Sequence, residues 1–352
     1  MTPTFFCLCR MLQSLMQNSA LLVGIISVVL YALIMVMVPL PSLPLEGLPR
    51  YLQDWFAKGE VYSVHGKDMF VIRLGDSPLT SVILMHGFPS SSYEYHRVAA
   101  LLSQHRPVVL YDHVGFGFSA KPAQDYPFSM IDQADQSLAL WRQLGIRRAH
   151  IVSHDMGDTI LSEILGRRHR GELPSYFDDF FASVTFTNGG MVYEKIVSRL
   201  SQSLLRRPLV GDFLQGLMLR LDRNSLFSRA QLKSVWSPTY AYPEQRDSDI
   251  NDTLSLLRHD GGHLLMTKLI YYLNERGYFE HRWHPMLGTL TIDCMILWGD
   301  SDAVAPLAIY HELVRLTKGK CKSQILEGVG HFGQLEAPDK WVESVLEFIK
   351  VH

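Results

Sequence analysis

The chain has 352 residues, 47% of them hydrophobic, which is more than one simple core needs and leads us to expect a core with an inserted region. Lysine and arginine total 33 against 35 aspartates and glutamates, a formal charge of -2 that offers no attraction to nucleic acid, and no basic patch is interleaved with aromatics. Four cysteines show neither zinc spacing nor a disulfide framework, and Cys294 and Cys321, on predicted core strands, read as buried small apolar residues.

In chain order, the first signal is an apolar stretch. Residues 11–45 carry no fully charged side chain, and residues 20–40 are apolar almost throughout. At about 1.5 Å per residue that is long enough to cross the hydrocarbon core of a bilayer. The stretch is too long for a cleaved signal peptide and no small-x-small site follows it, so it predicts one transmembrane helix with membrane lipid as its partner. Cys7 and Cys9 beside it fit the composition of a palmitoylated membrane flank. Arg10 on one side against Arg50 and Lys58 on the other leaves the orientation open. Pro39, Pro41 and Pro44 form a short stiff linker to the rest of the chain.

Residues 60–65 and 69–74 flank Gly66, Lys67 and Asp68 as an opening β-hairpin. Residues 81–85 form a short apolar strand ending in His86, Gly87, Phe88 and Pro89, a tight-turn composition. Residues 107–111 form another, running into a loop with Asp112, Gly115 and Gly117; the third glycine and the ribose-binding acid of a dinucleotide site are missing. Ser129 with Asp132 reads as a capping box, and Gly145 as the stop of that helix.

The next apolar run, residues 149–152, leads into Ser153, His154, Asp155, Met156 and Gly157, and a helical pattern follows over 159–165. Small residues at 153 and 157 let the backbone turn sharply, so Asp155 stands on a strand-to-helix elbow near the positive end of the next helix. An aspartate there reads two ways. It caps the helix, a common role, or it is a nucleophile already ionised at neutral pH, since its reference pKa is about 3.9. His154, pointing to the opposite face, reads as a hydrogen-bonded structural side chain.

Alternating strand and helix patterns run on to residues 183–187 and argue for a parallel sheet covered on both faces. From about 191 to 290 the strand pattern gives way to helical stretches such as 194–205 and 263–274. A strand at 294–297 then ends in Trp298, Gly299, Asp300, Ser301 and Asp302. The last loop carries Glu327, Gly328, Val329, Gly330 and His331 before a final helix at 340–351.

In combination these turns resemble the epoxide hydrolase and haloalkane dehalogenase branch of the α/β-hydrolases, over nearly everything after the N-terminal segment. The elbow extended to Asp158, the Asn188, Gly189, Gly190 turn and the cap residues Asp260, Gly261, Tyr272, Asn274, Arg276, Arg282 and Trp283 resemble in particular the mesoderm-specific transcript proteins of animals. The resemblance implies an α/β-hydrolase fold: a mostly parallel sheet, helices on both faces and an inserted helical cap. The chain then divides into an anchor and linker (1–45), a first core part (46–190), a cap (191–290) and a second core part (291–352).

The same resemblance assigns roles. Asp155 becomes the nucleophile, His331 the general base and Asp302 the triad acid, three residues after Gly299 and so chosen over Asp300. Glu194 is a remote alternative acid. The backbone N–H groups of Phe88 and Met156 form the oxyanion hole. A cap tyrosine among Tyr240, Tyr242, Tyr271 and Tyr272 donates a proton to an opened epoxide, although any single one of them reads better as a packing aromatic. One departure stands out: the dehalogenases carry a halide-holding tryptophan where this chain has Met156.

The implied function is a membrane-anchored hydrolase that opens epoxides on small lipophilic substrates through a covalent Asp155 ester, with water as co-substrate and no metal or organic cofactor. A haloalkane dehalogenase-like or other α/β-hydrolase activity is the alternative, as is a non-catalytic binding protein on the same fold. In a eukaryote the single-pass anchor implies the endoplasmic reticulum membrane. The catalytic reading requires Asp155 to be reachable by a small molecule, with His331 opposite.

Overall fold

The computed structural model describes residues 23–24, 26–28, 42–122, 126–195, 200–207, 209–221, 226–234 and 243–350. After helix α1 (Arg50–Phe56), the hairpin joins β1 (Glu60–Val64) to β2 (Lys67–Leu74). Its turn falls at His65 and Gly66 rather than over 66–68, because φ is positive at both, 46° and 73°, as a two-residue turn matched to strand twist requires.

Strand β3 (Ser81–Met85) leads through helix α2 (His96–Ser103) to β4 (Val108–Tyr111), and helix α3 (Met130–Gln143) leads to β5 (Ala149–His154). Ser129 Oγ accepts the Asp132 N–H at 3.1 Å, capping α3, and Gly145 takes a positive φ just beyond its end. Helix α4 (Met156–His169) connects to β6 (Phe181–Thr187). One eight-stranded sheet results, in the order β1-β2-β4-β3-β5-β6-β7-β8, with β7 (Asp293–Gly299) and β8 (Lys322–Leu326). Strands β1 and β2 pair antiparallel, as do β2 and β4; all other pairs are parallel. Strands β4, β5 and β6 are buried along their whole length, as strands covered by helices on both faces are; β4 is apolar throughout, whereas β5 and β6 bury polar residues such as His150, Ser153, Ser183 and Thr185 among their apolar ones.

Between β6 and β7 the described residues form helices and turns: α5 (Leu200–Leu205), α6 (Val210–Leu221), α7 (Leu226–Lys233), α8 (Pro243–Arg258), α9 (Met266–Leu269) and α10 (Tyr272–Leu287). The stretch expected as helical over 263–274 breaks at Ile270 and Tyr271, and the chain re-enters helix at Tyr272. After β7 come α11 (Leu307–Leu316), α12 (Gly333–Glu336) and α13 (Pro338–Ile349). The last helix starts two residues earlier than its apolar pattern because Pro338 suits a first-turn position. Helices α3, α4 and α11 pack on one face of the sheet and α1, α2 and α13 on the other, each with its own apolar layer.

The structure corrects the cysteine reading. The parallel register sets Met295 against Lys322, so Cys294 falls opposite Cys321, and the two form a disulfide with Cα atoms 4.6 Å apart. Strand pairing, invisible in cysteine spacing, brings them together. The apolar stretch at 11–45 lies outside the described residues except for 23–24, 26–28 and 42–45; among the described residues no helix is long and apolar enough to cross a membrane. Leu43, at its end, bridges to His259 after α8, and Leu48 and Leu52 pack on Leu256, so the linker's last residues dock on the helical insertion.

Candidate active site

The elbow forms at the end of β5. Asp155 takes φ 46° and ψ −104°, a conformation L-residues rarely hold, and its N–H is bonded to Thr187 O at 3.2 Å. Close approach explains the glycines around it. A Cβ at Gly157 would come within 2.5 Å of Met85 O, and one at Gly87 within 2.7 Å of the Asp155 Cβ. Asp158, one turn into α4, is wholly buried: its Oδ1 accepts from the Ser153 hydroxyl and the Thr187 N–H, and burial pushes its carboxyl well above the usual carboxylate range.

The Asp155 carboxylate is engaged at both oxygens. Oδ2 accepts the Phe88 N–H and the Tyr272 hydroxyl, each at 3.1 Å, and Oδ1 faces Arg276 Nη2 at 3.2 Å. Burial alone would raise the Asp155 pKa, but Arg276, His331, His154 and the Phe88 N–H outweigh it and hold the carboxyl below its ordinary value. Asp155 and Arg276 side chains are each only 2% exposed. Among the described residues α10 covers the carboxylate, bringing Tyr272 and Arg276 onto it.

Across from the elbow, His331 Nδ1 lies 2.7 Å from Asp302 Oδ2. Asp302 Oδ1 accepts the Val304 and Ala305 N–H groups at 2.6 and 2.9 Å. Burial opposes charge on Asp302, but His331 and these donors keep its carboxyl below the usual range. Asp302 thus fixes the orientation of the His331 ring through Nδ1. Asp300 is used otherwise, accepting from the Ser301 hydroxyl and the Gly328 N–H.

The other expected residues separate clearly. Tyr272 reaches Asp155, whereas Tyr271 is 39% exposed beside Tyr278, because α10 begins between them and turns only the second inward. Tyr240 and Tyr242 lie outside the described residues. Glu194 is exposed and makes no part of this cluster. Of the two oxyanion donors, the Phe88 N–H meets the carboxylate; among the described residues the Met156 N–H makes no bond to it, since the side chain is drawn toward Tyr272 and Arg276. No group of three His, Cys, Asp or Glu among the described residues is placed to hold a metal.

Four residues escaped assignment from the sequence. Arg276 is the largest, a buried cation on the nucleophile candidate. Asn188, at φ 49°, donates from Nδ2 to Asp302 Oδ2 at 2.7 Å and so orients the acid; its Asn-Gly-Gly turn after β6 was the available signal. Glu336 accepts the N–H groups of Gly330 and Phe332, bracketing His331. Glu94 pairs with His154 Nδ1 at 2.9 Å and accepts the Gly87 N–H, while His154 Nε2 donates to the His331 carbonyl at 2.9 Å. Burial disfavours charge on His154, yet Glu94 and the nearby acids raise it to about 9, so a buried imidazolium ties the Phe88 loop to the His331 loop.

Comparison with known proteins bears on the family and the fold. The alpha/beta hydrolase fold family matches residues 80–338. The mesoderm-specific transcript homolog protein of Bos taurus is 32% identical over 318 residues, 87% of this chain and 90% of the relative. Epoxide hydrolase 3 of Xenopus tropicalis is 24% identical over 301 residues, 79% of this chain and 74% of its own length. Among solved structures, the haloalkane dehalogenase DbeA from Bradyrhizobium elkani aligns with a TM-score of 0.65 at 21% identity, over 83% of this chain and 97% of that one, a likeness of fold. The parallel sheet with its strained elbow, and a family match over most of the length, lead to one conclusion: the chain belongs to the α/β-hydrolase fold family.

Proposed function

We propose that this hydrolase works through an ester on Asp155 and opens epoxides on lipophilic substrates. The observation that carries the reading is the Asp155 carboxylate itself, ionised on a strained elbow with the Phe88 N–H and the Tyr272 hydroxyl on one oxygen. An ionised carboxylate needs no base to attack saturated carbon. Oδ1 attacks, and Oδ2 becomes the ester carbonyl oxygen. Tyr272 turns from Oδ2 to protonate the opened oxygen, and its neighbour Arg276, whose guanidinium carbon is 4.6 Å from the ring centre, supports the phenolate left behind. His331, oriented by Asp302, then takes a proton from water, which adds to the ester carbonyl. The resulting oxyanion forms on Oδ2 beside the Phe88 N–H, and the Met156 N–H at the head of α4 is its second donor once the ester has released Tyr272. A serine would occupy the histidine in the first step; the aspartate leaves it free for the second.

Membrane anchoring belongs to the same proposal. Its support is the charge-free stretch at 11–45, the exposure of Val23, Ile26 and Val28, and exposed Leu209, Val210 and Phe213 on the helical insertion where Leu43 docks. The insertion then faces the lipid in which an apolar substrate dissolves. Trapping tests the chemistry. The His331→Ala protein, incubated with a panel of lipophilic epoxides and analysed by peptide mass spectrometry, is expected to carry substrate mass on the peptide containing Asp155. A panel-wide absence of adduct, with folded protein, contradicts the proposal.

A further inference from the structure

Arg276 lies one helical turn after Tyr272 on α10, and its guanidinium is fixed by groups other than the reactive carboxylate. Nε donates to Thr159 Oγ1 at 2.9 Å, and Nη2 donates to the backbone oxygen of Asp155 at 3.0 Å. Only the 3.2 Å contact from Nη2 to Oδ1 engages the nucleophile. Nη1 has no hydrogen-bond partner among the described residues. The cation is buried, so it depends on a counter-charge nearby.

With Asp155 attacking carbon, as in the proposed function on which this inference rests, the first step moves that counter-charge. Oδ1 gives an electron pair to carbon, the bond to the leaving atom breaks, and that atom takes the bonding electrons. Asp155 becomes a neutral ester. Arg276 stays where Thr159 and the Asp155 carbonyl hold it, no longer paired with Asp155, and a buried cation draws the new negative charge toward itself, first on the departing atom and, for an epoxide, on the Tyr272 phenolate once the proton has moved. The favoured path is the one whose new negative charge forms within reach of the guanidinium.

We infer that Arg276 is the leaving-group site: its guanidinium holds the nucleophile before attack and the departing oxygen or halide after it. An epoxide oxygen, still tethered to the product, bonds to the guanidinium and takes the Tyr272 proton. A halide bonds to it and leaves as the anion. Arg276 thereby fills the place left by Met156, which has no N–H on its side chain to hold a leaving halide.

Two experiments test this. In the first, Asp155→Asn removes the carboxylate charge as the ester does, and bromide binding is followed by isothermal titration. Saturable bromide binding is expected in Asp155→Asn, none in wild type, and none in Asp155→Asn combined with Arg276→Gln. Equal binding by wild type and Asp155→Asn, or binding that survives loss of Arg276, overturns the inference.

The second compares rates of adduct formation on Asp155 for alkyl chloride, bromide and iodide in the His331→Ala background, with and without Arg276→Lys, a change that keeps the charge and limits the risk of misfolding. A loss of about 100-fold is expected for chloride, the size seen when one donor to a developing charge is lost, shrinking toward iodide, whose departure needs less help. The same loss for all three halides makes Arg276 a positioning residue and overturns the inference. No adduct at Asp155 with any halide or epoxide overturns instead the ester chemistry on which it rests, while the bromide titration still reports on the anion site.

Discussion

At the scale of single residues, buried charge pairs build the site around one reacting carboxylate, which belongs to one of them. Glu94 and His154 hold the loops, and Arg276 holds Asp155. The first pair gives a pH signature. His154 rises from 6.5 to about 9 on folding, so its contribution to stability is full below the unfolded value and is lost as the pH climbs through the folded one. Thermal unfolding of the wild type is therefore expected to lose midpoint between those limits, and the double variant Glu94→Gln, His154→Gln to lack that slope. Asp302→Asn separates the two chemical steps. Turnover is expected to fall on the order of ten-thousandfold, as when a histidine loses its orienting acid, while adduct formation on Asp155 proceeds and the ester accumulates in stopped samples. Asp155, Asp302 and His331 were singled out by the family resemblance of the loops that follow three apolar strands, and the structure sets His331 Nδ1 2.7 Å from Asp302. Arg276 was given no role. Its spacing to Tyr272 puts both on one helical face, but nothing in that spacing says which part of the core the face covers.

At the scale of elements, the elbow and the contact between α4 and α10 decide the geometry. Gly157 meets the backbone of β3, so Gly157→Ala has no side-chain tip to push aside and must shift the elbow; a loss of about 2 kcal/mol in denaturant unfolding is expected. Glu163 on α4 accepts from Arg167, Arg282 and Trp283 Nε1, joining the helix under the nucleophile to the one above it. Glu163→Gln leaves Arg282 without its carboxylate and Arg167 with Asp135 alone. About 2 kcal/mol of stability should go with it, measured by chemical unfolding, since the arginines are partly solvated. Strand cores were readable from apolar runs, and the α3 cap from Ser129 and Asp132. The hairpin turn and the break before Tyr272 were not, because both depend on backbone angles that several compositions allow.

At the scale of the molecule, the alternation of patterns implied a parallel sheet covered on both faces, while the strand order, with β4 between β2 and β3, is set by the whole fold. The Cys294–Cys321 link depended on which strands become neighbours, a fact held in the whole fold and in no local window. The anchor reading makes its own prediction. Full-length protein should float with liposomes and resist carbonate extraction, whereas protein lacking residues 1–41 should stay in the aqueous fraction and keep its activity on water-soluble epoxides. Co-sedimentation of the shortened protein with aqueous markers, together with an unchanged rate, checks both halves.

The central claim, a covalent ester on Asp155, is tested most directly by a single turnover in water enriched in the heavy oxygen isotope, with enzyme in excess over epoxide. Water that adds to the ester carbonyl leaves its oxygen in the enzyme, so the Asp155 peptide should gain the label and the first diol released should not. Label in that first diol and none in the peptide would mean that water attacks the substrate directly, and would contradict the account.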